Sequence, residues 1–114
     1  MNKKQYISEQ EVLSLLEPTR NKDINKIKLN PANTKEHEML KCELCYGLLQ
    51  QKKRFITEAI FKNNLGRCDI LNITDGYAIE IVCTETEASI IRKKAKYPVH
   101  VIVMRPDDEI KKEG

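Results

Sequence analysis

Hydrophobic and polar positions change their period along the chain. Near the start, Val12, Leu15 and Leu16 recur at helical spacing behind Ser8-Glu9-Gln10-Glu11. That tetrapeptide is a capping box, in which Ser8 takes the Glu11 amide while the Glu11 side chain reaches back. Pro18 should end this short helix. Residues 19–33 alternate in charge around Ile24, Ile27 and Leu29 and finish in the breaker run Asn30-Pro31-Ala32-Asn33, the pattern of a connector. Thr34 then offers an N-cap for a helix to about Gln51, with Leu40, Leu44 and Leu48 as its apolar stripe. At 100° per residue, His37, Lys41 and Cys45 fall on or beside that stripe.

From Arg54 the period becomes two. Arg54–Phe61 reads as a strand, Asn63-Asn64-Leu65-Gly66 as a turn and Arg67–Ile73 as a second strand. Thr74-Asp75-Gly76 is another turn, and Tyr77–Cys83 a third strand, apolar except for Glu80 and so suited to the middle of a sheet. Thr84-Glu85-Thr86-Glu87 repeats the capping-box pattern and predicts a helix from Thr84 to about Lys96, before Pro98. Val99–Met104 is a last, β-branched strand. The order from Thr34 is α-β-β-β-α-β, with the last strand expected parallel to the third. The expected architecture is an α/β core over residues 34–104. A helical extension and connector precede it at 1–33, and a charged, frayed tail follows at 105–114.

Composition narrows the class without naming a function. A chain of 114 residues makes one domain. With 40% hydrophobic residues and only 4 Gly and 4 Pro, it is neither disordered nor collagen-like. No apolar run approaches the ~18 residues of a membrane span, and Met1-Asn2-Lys3-Lys4 leads into no signal-peptide core. The expectation is a soluble, cytoplasmic protein. The net charge of +3 permits nucleic-acid binding but does not argue for it, because 20 Lys+Arg face 17 Asp+Glu. Abundant Lys, Glu and Ile fit a thermophilic source among others. Cys42-x-x-Cys45 lies mid-helix, where a zinc knuckle would need a turn, and Cys68 and Cys83 form no second pair; the thiols read as small buried hydrophobes.

Two carboxylates stand out because they occupy strands. Asp69 sits in Arg67-Cys68-Asp69-Ile70-Leu71 and Glu80 in Ala78-Ile79-Glu80-Ile81-Val82. One hairpin turn separates them, so paired strands can set both on one face. A carboxylate in an apolar strand costs several kcal/mol unless a cation or hydrogen bonds compensate it. Two converging acids make a hard-cation site of the Mg²⁺ or Mn²⁺ type. The commonplace reading of Asp69 is a local pair with Arg67. Glu58 either flanks the same pocket or, by strand alternation, points outward.

On these residues the chain resembles the PD-(D/E)XK superfamily, whose restriction-endonuclease-like fold is shared by restriction enzymes and small archaeal resolvase-type nucleases. The resemblance implies a DNA endonuclease hydrolysing phosphodiester bonds, with Asp69, Glu80 and the Ile81 main-chain carbonyl holding Mg²⁺ or Mn²⁺. His37 stands nearest the place where some resolvase-like members add a residue. The departure is Val82, which occupies the motif's lysine slot. Some members supply that lysine from the following helix. There Lys94 projects into the sector of Ile90, Ile91, Ala95 and Tyr97 while Lys93 points away, so Lys94 is the expected catalytic cation and Lys41 the second choice. Lys52, Lys53, Arg54 and Arg67 are candidate phosphate contacts. Without a migrated lysine, the expectation becomes a degenerate fold that binds nucleic acid or protein but does not cut. A homodimer would give so small a chain a second site.

Overall fold

The computed structural model describes residues 8–18 and 23–106. The charged tail beyond 106 and the stretch 19–22 of the connector lie outside the described residues. The elements run α1 (Glu9–Leu13), α2 (Lys35–Gln50), β1 (Phe55–Phe61), β2 (Gly66–Asn72), β3 (Tyr77–Ile81), α3 (Glu87–Lys96) and β4 (His100–Met104). The strands form one mixed sheet in the order β1-β2-β3-β4. The first three are antiparallel neighbours, and β4 pairs parallel to β3 with Tyr77 opposite His100 and Ile81 opposite Met104. The chain is thus an α/β protein with a four-stranded sheet flanked by helices. Among the described residues no helix is long and apolar enough to cross a membrane.

Local chemistry sets the boundaries. Ser8 caps α1 as expected, its Oγ accepting from the Glu11 amide at 3.2 Å. The helix stops at Leu13, short of Pro18, because β1 claims the next backbone groups. Lys62 N–H donates to the Leu15 carbonyl, Glu17 N–H donates to the Ile60 carbonyl, and Leu16 bridges Phe61. The extension therefore covers part of the outer edge of β1, as an edge strand needs. The β1–β2 turn places Asn63, Asn64 and Gly66 at φ 62°, 57° and 119°. A side chain at Gly66 would also meet the Tyr97 ring at 2.6 Å, so only glycine fits there. At the next turn Asn72 Oδ1 accepts from the Asp75 amide and the Asn72 carbonyl from the Gly76 amide. The cap of α3 is Thr86 rather than Thr84, since Thr86 Oγ1 accepts from the Ser89 amide.

Each face of the sheet carries its own apolar cluster. Leu40, Cys45 and Leu48 of α2 pack on Phe55, Ile70, Ile79 and Ile81. On the other face Val12 and Leu16 join Ile56, Phe61, Leu71, Ala78, Tyr97 and Val99. Cys45 and Cys68 are buried as expected, Cys42 is half-buried, and Cys83 is exposed, contrary to the reading of all four as buried hydrophobes.

Candidate functional site

The strand register places three acids side by side. Thr57 opposite Ile70 and Ala59 opposite Cys68 flank Glu58 and Asp69, while Ile70 opposite Ile79 is the last pair before Asp69 and Glu80. At that point β2 and β3 stop pairing through their backbones, and the two carboxylates enter the gap. Glu80 Oε1 accepts from the Asp69 amide at 3.1 Å, and Asp69 Oδ2 accepts from the Ile81 amide at 2.8 Å. Each acid thus satisfies a backbone donor that a continued ladder would have paired. Glu58 has φ 54°, an uncommon value for a non-glycine residue in a strand. Its side chain lines the same cleft as Asp69 and Glu80, so the outward orientation expected from strict alternation does not occur.

The cleft encloses about 310 Å³, with Asn30, Thr34, His37, Arg67, Cys83 and Glu85 also on its walls. Lys93 enters it from α3. Its Nζ lies 3.2 Å from Glu80 Oε2 and 2.7 Å from Glu85 Oε2. Lys94, the cation expected here, is exposed on α3 instead. The reason is the helix face: Ile90 is buried but Ile91 is exposed, so α3 is rotated by about one residue from the apolar sector read in the sequence. Ile90, Lys93 and Tyr97 face inward at i, i+3 and i+7. Tyr97 completes the surround of Glu80, its hydroxyl donating to the Arg67 carbonyl at 2.6 Å and to Glu80 Oε1 at 3.3 Å. Val82 is buried and gives its amide to the Met104 carbonyl.

The second-choice lysine has a different setting. Lys41 is fully buried, and its ammonium donates to the Lys28 carbonyl, Glu38 Oε1 and Glu58 Oε2 at 3.0, 3.0 and 3.3 Å. Three donors meet three acceptors, which is the condition for burying an ammonium. Glu38 also accepts from the Asn30 amide, from Asn33 and from His37 Nδ1, the last at 2.7 Å. His37 turns its other nitrogen to the cleft, 3.4 Å from Asp69 Oδ2.

Burial governs the protonation of the central acids. It raises the Asp69 carboxyl above its usual range, against the pull of the Ile81 amide and His37. Burial, followed by the Asp69 charge, pushes Glu80 up to about 7 despite Lys93. Glu38 behaves in the opposite way. Burial would raise it, but the Asn30 amide, Lys41, His37 and Asn33 together hold it down at about 2. A carboxylate at Glu38 makes His37 Nδ1 the donor and leaves Nε2 on the cleft side. On Lys93 burial acts against the charge, yet Glu85 and Glu80 outweigh it and raise the ammonium.

Among the described residues no group of three or more His, Cys, Asp or Glu side chains is gathered as a ready metal cage. Two carboxylates with water in the remaining positions is the usual Mg²⁺ arrangement. Asp69 and Glu80 fit that donor set, because burial makes both resist ionising, Glu80 further so beside Asp69, and a divalent cation would relieve both. Ile81 borders the same cleft.

The candidate phosphate contacts divide. Lys53 pairs with Asp75 and Arg54 with Glu9 near the turn joining β2 and β3, while Lys52 is exposed beside them. Arg67 is the one of the four that lines the cleft. It also borders an adjoining groove of about 600 Å³ with Asn64, Lys93, Lys96 and Tyr97. Lys93, Glu38, Glu85, Asn30 and Tyr97 were absent from the sequence-level candidates. Glu38 and Glu85 resemble ordinary helix-start acids, and Asn30 resembles part of a breaker run. Compared with family models, curated proteins and solved structures, the chain matches none.

Proposed function

We propose that the cleft is the active site of a metal-dependent nuclease of the PD-(D/E)XK type, hydrolysing phosphodiester bonds in DNA on a restriction-endonuclease-like core. The observation that carries this reading is the place of Lys93. Its ammonium stands against Glu80, next to Asp69, so α3 supplies the cation that Val82 cannot. Asp69, Glu80 and the Ile81 carbonyl would hold Mg²⁺ or Mn²⁺. Such an ion, when bound, polarises a phosphoryl oxygen and lowers the pKa of its water. Lys93 orients the attacking water and balances charge developing on the phosphoryl group. His37, fixed by Glu38, offers Nε2 as a proton acceptor at the cleft wall. Arg67 and Lys96 in the adjoining groove would hold neighbouring phosphates by charge alone.

The test is cleavage of supercoiled plasmid and branched DNA with Mg²⁺ or Mn²⁺, alongside calorimetric Mn²⁺ binding, for wild type and Glu80→Gln. Metal-dependent cutting and Mn²⁺ binding, both lost in Glu80→Gln, support the reading. DNA binding without cutting by wild type overturns it in favour of a degenerate binding module, the alternative that Val82 favours.

A further inference from the structure

Two acids of different kinds hold Lys93. Its Nζ stands 3.2 Å from Glu80 Oε2 and 2.7 Å from Glu85 Oε2, so the closer partner lies outside the Asp69–Glu80 pair. Glu85 comes just before the Thr86 cap of α3, with Ser89 four residues on and Lys93 eight. Helical side chains tilt toward the N-terminus, and residues four apart share a face. Lys93 therefore lies back along α3, over Ser89, to reach Glu85. The Ser89 hydroxyl donates to the same Oε2 at 3.3 Å, which ties Glu85 in turn to the helix. Glu87, the other acid at this end of α3, pairs with Arg105 after β4 instead.

We infer that Glu85 is a positioning residue for Lys93, the tether that keeps its ammonium in the cleft. On the nuclease reading, on which this rests, Asp69 and Glu80 give their charge to a divalent cation. An ammonium beside that charge is pushed away, and Glu80, already shared, is a weak hold on it. A lysine stem is flexible and its ammonium strongly hydrated, so without a second tether it goes to water. Glu85 lines the cleft but stands outside the donor set, so its whole charge stays with Lys93. Both side chains are about one-third exposed, which screens their attraction less than at an open surface.

The test has two readouts, one of them independent of cutting. In protein carrying isotope-labelled lysine, ammonium signals outlast exchange with water where hydrogen bonds hold them, so Lys41 and Lys93 should both be visible by NMR. Lys93→Arg assigns the second signal. Glu85→Ala should remove it with or without Mg²⁺ and leave that of Lys41, with unchanged circular dichroism. In Mn²⁺-dependent cleavage of branched DNA, Glu85→Ala should lower kcat about 10-fold with KM for DNA unchanged, as a misplaced group does. Glu85→Gln, which keeps an accepting oxygen, should recover part of that loss, and Glu85→Ala should cost nothing further in a Lys93→Ala background. A Lys93 signal that persists in Glu85→Ala overturns the inference. So does an unchanged kcat, or an added loss in the Lys93→Ala background, and each of these leaves the nuclease reading standing. A wild type that does not cut overturns that reading and the positioning role with it.

Discussion

The two longer helices use their charged residues in opposite ways. α3 follows the ordinary pattern, with Ile90 buried inside and Arg92, Lys94 and Lys96 in water, and only Lys93 bends to the cleft. α2 inverts it, burying Lys41 and His37 against the sheet while Met39, Tyr46 and Leu49 face outward. The difference teaches that partners, not residue class, decide burial here. Lys41 goes inside because Lys28, Glu38 and Glu58 satisfy its three donors. The outer stripe of α2, by contrast, stays exposed among the described residues.

The sharpest way to break this comparison is to remove the buried cation. Lys41→Met should cost about 3–5 kcal/mol in urea unfolding, because it takes the buried cation from the Glu38 and Glu58 carboxylates and the donor from the Lys28 carbonyl. Lys93→Met should cost less at neutral pH, since its side chain is one-third exposed and Glu80, at about 7, can take a proton instead. Equal losses from the two would contradict the contrast between the helices.

A smaller effect follows from Glu80. Its folded pKa is raised to about 7 from an ordinary 4.5, so the folded state holds the proton more tightly. The stability this contributes is complete below pH 4.5 and is lost as pH rises through 7. Glu80→Gln keeps the site neutral, so relative to wild type it should gain about 1–3 kcal/mol between pH 5 and pH 8 in urea titrations. A pH-independent difference would mean that Glu80 titrates normally.

The smallest effect belongs to the exposed side of α2. A Cβ added at Gly47 meets nothing within 4 Å, so Gly47→Ala should raise stability by about 0.5–1 kcal/mol, measured as a shift in the urea midpoint. A loss there would show that this side of the helix is already occupied.

The element order, the parallel β4 and the pairing of Asp69 with Glu80 were legible because strand and helix periods are distinct and an acid in an apolar strand is conspicuous. What escaped depended on geometry finer than a period. Ile90 and Tyr97 leave Lys93 and Lys94 nearly equivalent on a helical wheel, and counting Ile91 as inward tipped the choice to Lys94. Ile91 is in fact exposed, and it carries no sign of that in a hydropathy pattern. For Glu58 the pattern leaves cleft and solvent both open, and φ 54° breaks the alternation that would have turned it outward. Thr84 and Thr86 both fit a cap, and taking Thr86 leaves Glu85 free to meet Lys93. The inward role of Lys41 needed Lys28, whose approach no local signal announces.

The central claim is that Lys93, reaching the Asp69–Glu80 pair from α3, completes a nuclease site. The most direct measurement is the Mn²⁺-dependent cleavage rate of branched DNA by wild type, Lys93→Ala and Lys94→Ala, each checked for folding. The account predicts a loss of about 10²–10³-fold for Lys93→Ala, the scale of removing one group that stabilises transition-state charge, and a rate near wild type for Lys94→Ala. Undiminished cutting by Lys93→Ala, or an equal loss in both variants, would contradict it.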